Sequence, residues 1–348
     1  MNRIPPHATR AEKDSYMRSQ RSRNPLVVGF AGTALLPGGI WLCVNSAEVK
    51  NAIARLNQIR ACRVGSLRKL LALPARAVQQ VDIGRMNLLC AQGLPGAEGF
   101  DLEASLGELD NMAARVRSET KRHFYRFHNN PAEFENSEGF FRMVMLAVVL
   151  AEDFGVRYAP AKIGTAADAR ASDGFFAEAQ DVFLQGVTGP RRQGTCSSLP
   201  VLQVAVGRRL GYPLKLVTTK GHLFVRWEGK RERFNIEAAG NGVSRFPDDY
   251  YRHWPLEITL AEEAAEGYLK SLTSSEELAV FLSIRGMCLR EDGRLAEAAE
   301  AFAAAARLAP ACRGYQVMLA SLRASGSPAP RVAPHTEKTE INRAKLNL

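Results

Sequence analysis

The chain is poor in cysteine: six in 348 residues, at positions 43, 62, 90, 196, 288 and 312. They are widely spaced, with no C-x-x-C pair and no histidine at metal-ligand spacing, so no metal site is expected. So few cysteines in a chain this long also argue against a disulfide framework and suit a reducing compartment. Nothing in the composition calls for a cofactor. The net charge of +10 comes without a nucleic-acid recognition motif, so nucleic acid is not the expected partner. Charge itself is missing from residues 25–44, a run of twenty that is long enough to cross a bilayer. Its four glycines and two prolines weaken a soluble helix but are tolerated in a membrane one. No small-x-small cleavage motif stands out after it, and the basic polar lead of residues 1–24 is long for a signal peptide. The run reads as a single membrane anchor, as a soluble apolar segment, or as a cleaved signal. The corresponding locations are cytoplasmic or membrane-anchored.

What the chain does have is apolar content, 46%, ample for packed cores. Its charge is unevenly placed. Residues 188–233 carry ten basic and two acidic side chains, whereas residues 71–190 carry sixteen acidic and eleven basic. Internal pairing between the two regions is one reading, and a basic rim favouring acidic protein or peptide substrates is another.

The most informative stretches are R-R-Q-G-T-C-S-S-L-P, T-T-K-G-H-L-F-V-R-W and R-F-N-I-E-A-A-G-N-G, which carry Cys196, His222 and Glu237. A thiol, an imidazole and a carboxylate are the nucleophile, base and orienter of cysteine acyl transfer. Leu199, Leu202, Val206 and Leu210 recur at helical spacing and Gly211 with Pro213 closes the run, which puts Cys196 at a helix start. Unpaired N–H groups and the positive dipole end there favour a thiolate. Fourteen helical residues travel about 21 Å, and a strand over 214–220 travels about 20 Å back. His222 therefore returns level with Cys196.

A two-residue turn at Gly229-Lys230 then sets Glu237 opposite His222. A four-residue turn ending at Glu232 sets it opposite Phe224 instead, on the same face. Asn235, two residues earlier on that face, is the fallback orienter, and Gln193, three residues before the cysteine, is a candidate oxyanion donor beside the Cys196 N–H.

These segments resemble the transglutaminase-like superfamily, in particular its bacterial branch in which such a core precedes tetratricopeptide-like helices. The resemblance spans roughly residues 80–320 and is strongest over 190–245. It implies an α+β, papain-like core with helices on a small antiparallel sheet, Cys196 as nucleophile, His222 as base and Glu237 as the acidic third member. Glutamate stands where the family more often has aspartate, one methylene longer.

Organisation along the chain fits this order. Residues 45–79 read as a helical lead-in, and residues 80–255 as the core, with helices over 102–128, 139–154 and 172–185 before the site. Residues 256–323 read as a helical segment. Within it, residues 276–310 hold Gly286, Gly293, Ala298, Phe302, Ala305 and Pro310 at the spacing of one tetratricopeptide repeat, with Leu282 at the place of the usual tryptophan. Residues 324–348 read as a disordered tail. Two functions are compatible with this reading. One is a cysteine acyl-transfer enzyme acting on a protein or peptide. The other is a non-catalytic interaction module whose C-terminal helices dock a protein partner.

Overall fold

Three long or mid-length helices, each capped by a side chain, open the fold. In the computed structural model, residues 64–163, 174–240 and 242–326 are described, and they form one compact α+β unit. The apolar run 25–44, the basic segment before it and the tail beyond 326 lie outside the described residues. Among the described residues no helix is long and apolar enough to cross a membrane. Helix α1 (Ile83–Ala91) starts where the Asp82 carboxylate accepts the Arg85 N–H. Helix α2 (Leu102–Asn129) is capped by Asp101, which takes the N–H groups of Glu103 and Ala104. Helix α3 (Glu138–Val148) is capped by Ser137. The sequence places a single helix over 139–154, but a wide π turn (Val149–Asp153) takes over after Val148. The described parts of the lead-in, from residue 64, and of the 172–185 segment, from residue 174, are also less helical than expected, and residues 45–63 lie outside the described residues. Residues 64–80 hold only two short helices, and the described residues after 174 form one-turn helices at Ala179–Val182 and Gln185–Thr188.

At the centre runs α4 (Leu199–Arg209), buried from Leu199 through Gly207. A helix that is apolar on every side must be covered on every side. Helices α1, α2 and α3 cover it on one flank and the sheet covers it on another. Close approach to the sheet depends on Gly207, where a Cβ would stand 2.2 Å from Leu214 Cδ1. Gly211, at φ +80°, then reverses the chain into the sheet, as its position after the helical run predicts.

Two short strands, β1 (Arg157–Tyr158) and β2 (Gln193–Gly194), pair in parallel, with Tyr158 level with Gly194. The main sheet is antiparallel in the order β3-β4-β5, with β3 Leu214–Thr219, β4 His222–Glu228 and β5 Arg233–Ile236. Thr219 faces His222 across a two-residue turn in which Gly221 takes φ +69°. The second hairpin does not turn at two residues. Glu228 pairs with Arg233, and the Gly229 N–H closes a four-residue loop onto the Glu232 carbonyl.

Helix α5 (Asp248–His253) lies against the sheet, with the Tyr251 ring stacked on Phe224 at 3.8 Å between centroids. After α6 (Leu260–Glu266), three long helices complete the unit: α7 (Ser274–Glu291), α8 (Leu295–Leu308) and α9 (Arg313–Gly326). Helices α7 and α8 pack as a close antiparallel pair. A Cβ on Gly286 would fall 2.6 Å from the Phe302 ring, Ala298 and Ala305 are fully buried, and Gly293 turns the chain at φ +75°. Every spacing that the repeat-like pattern assigned to small residues is used for close contact or for the turn.

Candidate functional site

The turn Thr195-Cys196-Ser197-Ser198 is built by its own side chains. The Leu199 N–H reaches back to the Thr195 carbonyl at 2.9 Å, and Ser198 Oγ accepts the Thr195 N–H at 3.0 Å. Thr195 Oγ1 in turn donates to the Asp181 carbonyl at 2.9 Å. Gly194 leaves the room this needs, since a Cβ there would meet Ser198 Oγ at 2.5 Å. Cys196 is thus not the first helical residue. Regular helix begins at Leu199, because Pro200 has no N–H for an interior bond and fits only in the first turn. Cys196 sits in the bonded turn that leads into the helix and is 8% exposed.

His222 opens β4 and is 4% exposed. With Glu228 opposite Arg233, continued pairing sets Glu237 opposite Phe224, the longer-turn alternative, and so diagonal to His222 on one face. The extra methylene of glutamate spans the diagonal, and His222 Nε2 lies 2.8 Å from Glu237 Oε2. Glu237 is fixed at three further points. Its Oε1 accepts the Ala239 N–H at 2.8 Å, its Oε2 accepts the Tyr251 hydroxyl at 3.2 Å, and its backbone N–H bonds the Ser244 carbonyl at 2.8 Å. Because the carboxylate already serves as acceptor to these donors, Nε2 is the nitrogen that carries the proton. The Trp254 ring meets the imidazole edge-on at 4.7 Å.

The second imidazole nitrogen, Nδ1, is buried and makes no hydrogen bond of good geometry within the described residues. Cys196 is close enough to act on the ring all the same. Burial pulls the imidazole pKa down, but interactions with the Cys196 thiol and the Glu237 carboxylate outweigh it and carry His222 up to about 9. With Nε2 committed to Glu237, Nδ1 is left for the thiol.

Tyr158 joins this group without any warning from the sequence. The β1–β2 pairing holds it level with Gly194, two residues from the cysteine. Its phenol pKa is raised by burial and by the charge of Cys196, while the Cys196 backbone N–H, hydrogen-bonding the phenol oxygen, pulls the other way. The hydroxyl therefore remains a proton donor beside both the thiol and the N–H. Only a two-residue strand holds it there, too short for any periodicity to reveal. Tyr251 and Trp254 belong to a visible cluster, D-D-Y-Y-R-H-W, whose aromatic density was the available signal.

Asn235 and Gln193 take other places. Asn235 Oδ1 accepts from Arg226 Nε at 2.8 Å, and its amide donates to Asp248 Oδ1 at 2.7 Å and to the Phe246 carbonyl at 3.0 Å. This network satisfies the fully buried Arg226, which also bonds Asp248 and the Leu269 carbonyl, so Asn235 does not orient the histidine. Gln193 lies in β2 with its backbone paired to β1, and it is not among the residues lining the cavity at Cys196. Six side chains of the basic run make internal pairs. Arg191 meets Asp181, Arg192 meets Glu108, Arg208 meets Glu277, Arg209 meets Asp82 and Asp110, Lys220 meets Glu262, and Arg226 meets Asp248.

Cys196, His222 and Tyr158 share one cavity of about 490 Å³. Tyr158 also borders a second cavity of about 180 Å³, lined by Leu202, Gln203, Ala238 and Gly242. Among the described residues no group of three His, Cys, Asp or Glu side chains is placed to hold a metal ion. A thiol and a buried, carboxylate-held imidazole on one cavity can pass a proton and bond to carbon. Compared with protein-family models, with curated proteins and with solved structures, the chain matches none.

Proposed function

We propose that this protein is a cysteine-dependent acyl-transfer enzyme of transglutaminase-like type, acting on an amide through an acyl-thioester. The observation that carries the reading is His222, bonded through one nitrogen to Glu237 and acted on by Cys196 in a shared cavity. Cys196 Sγ attacks the carbonyl carbon, forming a C–S bond while the carbonyl oxygen takes the negative charge. The Tyr158 hydroxyl is a donor for that oxyanion, and the Cys196 N–H becomes the second once the oxyanion displaces the phenol oxygen from it, Tyr158 filling the role the sequence suggested for Gln193. The imidazolium of His222 gives its proton to the leaving nitrogen, and the C–N bond breaks. Water or an amine then attacks the thioester, losing its proton to the now neutral imidazole, and the C–S bond breaks. The carboxylate of Glu237 holds the ring through both transfers and stabilises its positive form. The α+β arrangement, with α4 packed on an antiparallel sheet, supports the papain-like reading of the core.

The test compares proteins cleaved or cross-linked in a cell extract by the native chain and by Cys196→Ala. Products that depend on Cys196 and on His222 support the enzyme. Identical patterns from both chains overturn it.

A further inference from the structure

The C-terminal helices do not stand apart from the candidate site. The cavity containing Cys196 and His222 is walled by Ile284 and Met287 of α7, Phe302 of α8, and Tyr315 and Met318 of α9, with Phe176 from the segment before the site. At about 490 Å³ it falls in the range of small-ligand sites. It has room for roughly fifteen water-sized groups, far more than an acetyl group needs. Aromatic rings and methionines dominate these walls, and methionine adapts to irregular shapes.

Polar groups interrupt the apolar wall. Ser283, Glu266 and Arg290 also line it. Glu266 Oε2 is anchored by the Gly314 N–H at 2.8 Å and the Cys312 thiol at 3.1 Å. Arg290 is exposed, and among the described residues its side chain has no ion-pair partner. A bare alkyl chain laid in this cavity would strip water from those groups and return nothing. A peptide, with its own N–H and C=O groups, can meet them while burying an apolar side chain.

On the proposed acyl-transfer reading, we infer that helices α7–α9 form the specificity wall for the acyl donor. That donor is a peptide whose residue at the reacting carbonyl is large and apolar, aromatic best. The single helix pair thus shapes the substrate cavity instead of docking a separate partner.

The experiment uses the full chain and 4-nitrophenyl esters of N-acetylglycine, N-acetylphenylalanine and decanoic acid. Burying a phenylalanine side chain predicts a kcat/KM about ten- to a hundredfold above that for glycine. Met287→Glu, half-buried on a helix that tolerates glutamate, should bring that ratio near one. A ratio near one in the native chain, or a decanoyl ester preferred to the phenylalanyl one, overturns the inference. A second arm needs no turnover: N-acetylphenylalaninamide should bind Cys196→Ala at least about tenfold more tightly than N-acetylglycinamide by NMR titration, and Met287→Glu should abolish the difference. Selective binding without Cys196-dependent turnover keeps the cavity assignment and sinks the chemistry. Turnover without selectivity in either arm does the reverse.

Discussion

His222 is held between opposing forces. Burial favours the neutral ring, while the thiol and the carboxylate favour the charged one and win, so the imidazole stays protonated to about pH 9. In the proposed reaction the leaving nitrogen needs that proton, so kcat/KM should fall along an alkaline limb near pH 9. Glu237→Gln removes the anionic partner and should move the limb to lower pH, an expectation that a pH–rate profile checks. Stability follows the same titration. The folded-state pKa is raised above the ordinary 6.5, so the His222 contribution is complete below about pH 6.5 and is lost as pH rises through 9. It is of order 3 kcal/mol. Urea titrations at pH 6 and 10 should show that loss in the native chain and not in His222→Gln.

The other described cysteines behave differently. Burial pushes Cys90 and Cys288 up to about 12 and Cys312 up to about 11. At neutral pH iodoacetamide should modify Cys196, which shares its cavity with His222, faster than these three, and His222→Ala should slow that modification. These residues were legible to different degrees. Glu237 was readable because either hairpin register leaves it on the face of His222, side-chain direction alternating with period two. Tyr158 was not, because its position depends on a distant parallel pairing that leaves no local pattern.

Among the elements, those with a local chemical reason were readable and those set by tertiary packing were not. Strands β3, β4 and β5, the end of α4 at Gly211 and the turn at Gly293 all have such reasons: branched and aromatic runs, or a glycine at positive φ. The start of α4 was misplaced by three residues, since the turn around Cys196 is closed by Ser198 and Thr195 side chains and not by helical bonding alone. The hairpin at Gly229 was ambiguous because two turn lengths satisfy the same sequence, and Glu232 settles it by closing the longer loop. Where α7 meets α8, Gly286→Ala should force the Phe302 ring aside and cost about 1–3 kcal/mol in urea unfolding. Phe302→Leu in the same chain should recover part of that loss, because it removes the ring edge the new methyl meets. A cost that Phe302→Leu leaves untouched would mean the helices do not approach at this point.

Across the whole molecule, charged side chains bind the C-terminal helices to the core. Arg208, at the end of α4, makes a two-pronged pair with Glu277 of α7, with N–O distances of 3.0 and 2.6 Å. Arg285 donates to the Cys90 and Gln92 carbonyls at 2.9 and 2.7 Å, and Arg294 to the Gly93 carbonyl at 2.7 Å, so both bond carbonyls at the C-terminal end of α1 and just beyond it that the helix leaves without partners. Helices tied in this way should not melt as a separate domain, and one transition should be seen by circular dichroism and tryptophan fluorescence alike. The Arg208–Glu277 pair sharpens the expectation, since its partners differ in burial. The Glu277 side chain is 0% exposed and the Arg208 side chain 30%. Removing arginine strands a buried carboxylate, whereas removing glutamate leaves a cation that water can reach. Arg208→Ala should therefore cost about 3–5 kcal/mol, the usual penalty for an orphaned buried charge, and Glu277→Ala distinctly less. Arg208→Ala should also weaken turnover of bulky substrates, because the cavity wall formed by α7 is held to the core through this contact. Equal losses of stability from the two substitutions would show that the glutamate reaches water by another route and that the helices are held chiefly by their apolar contacts.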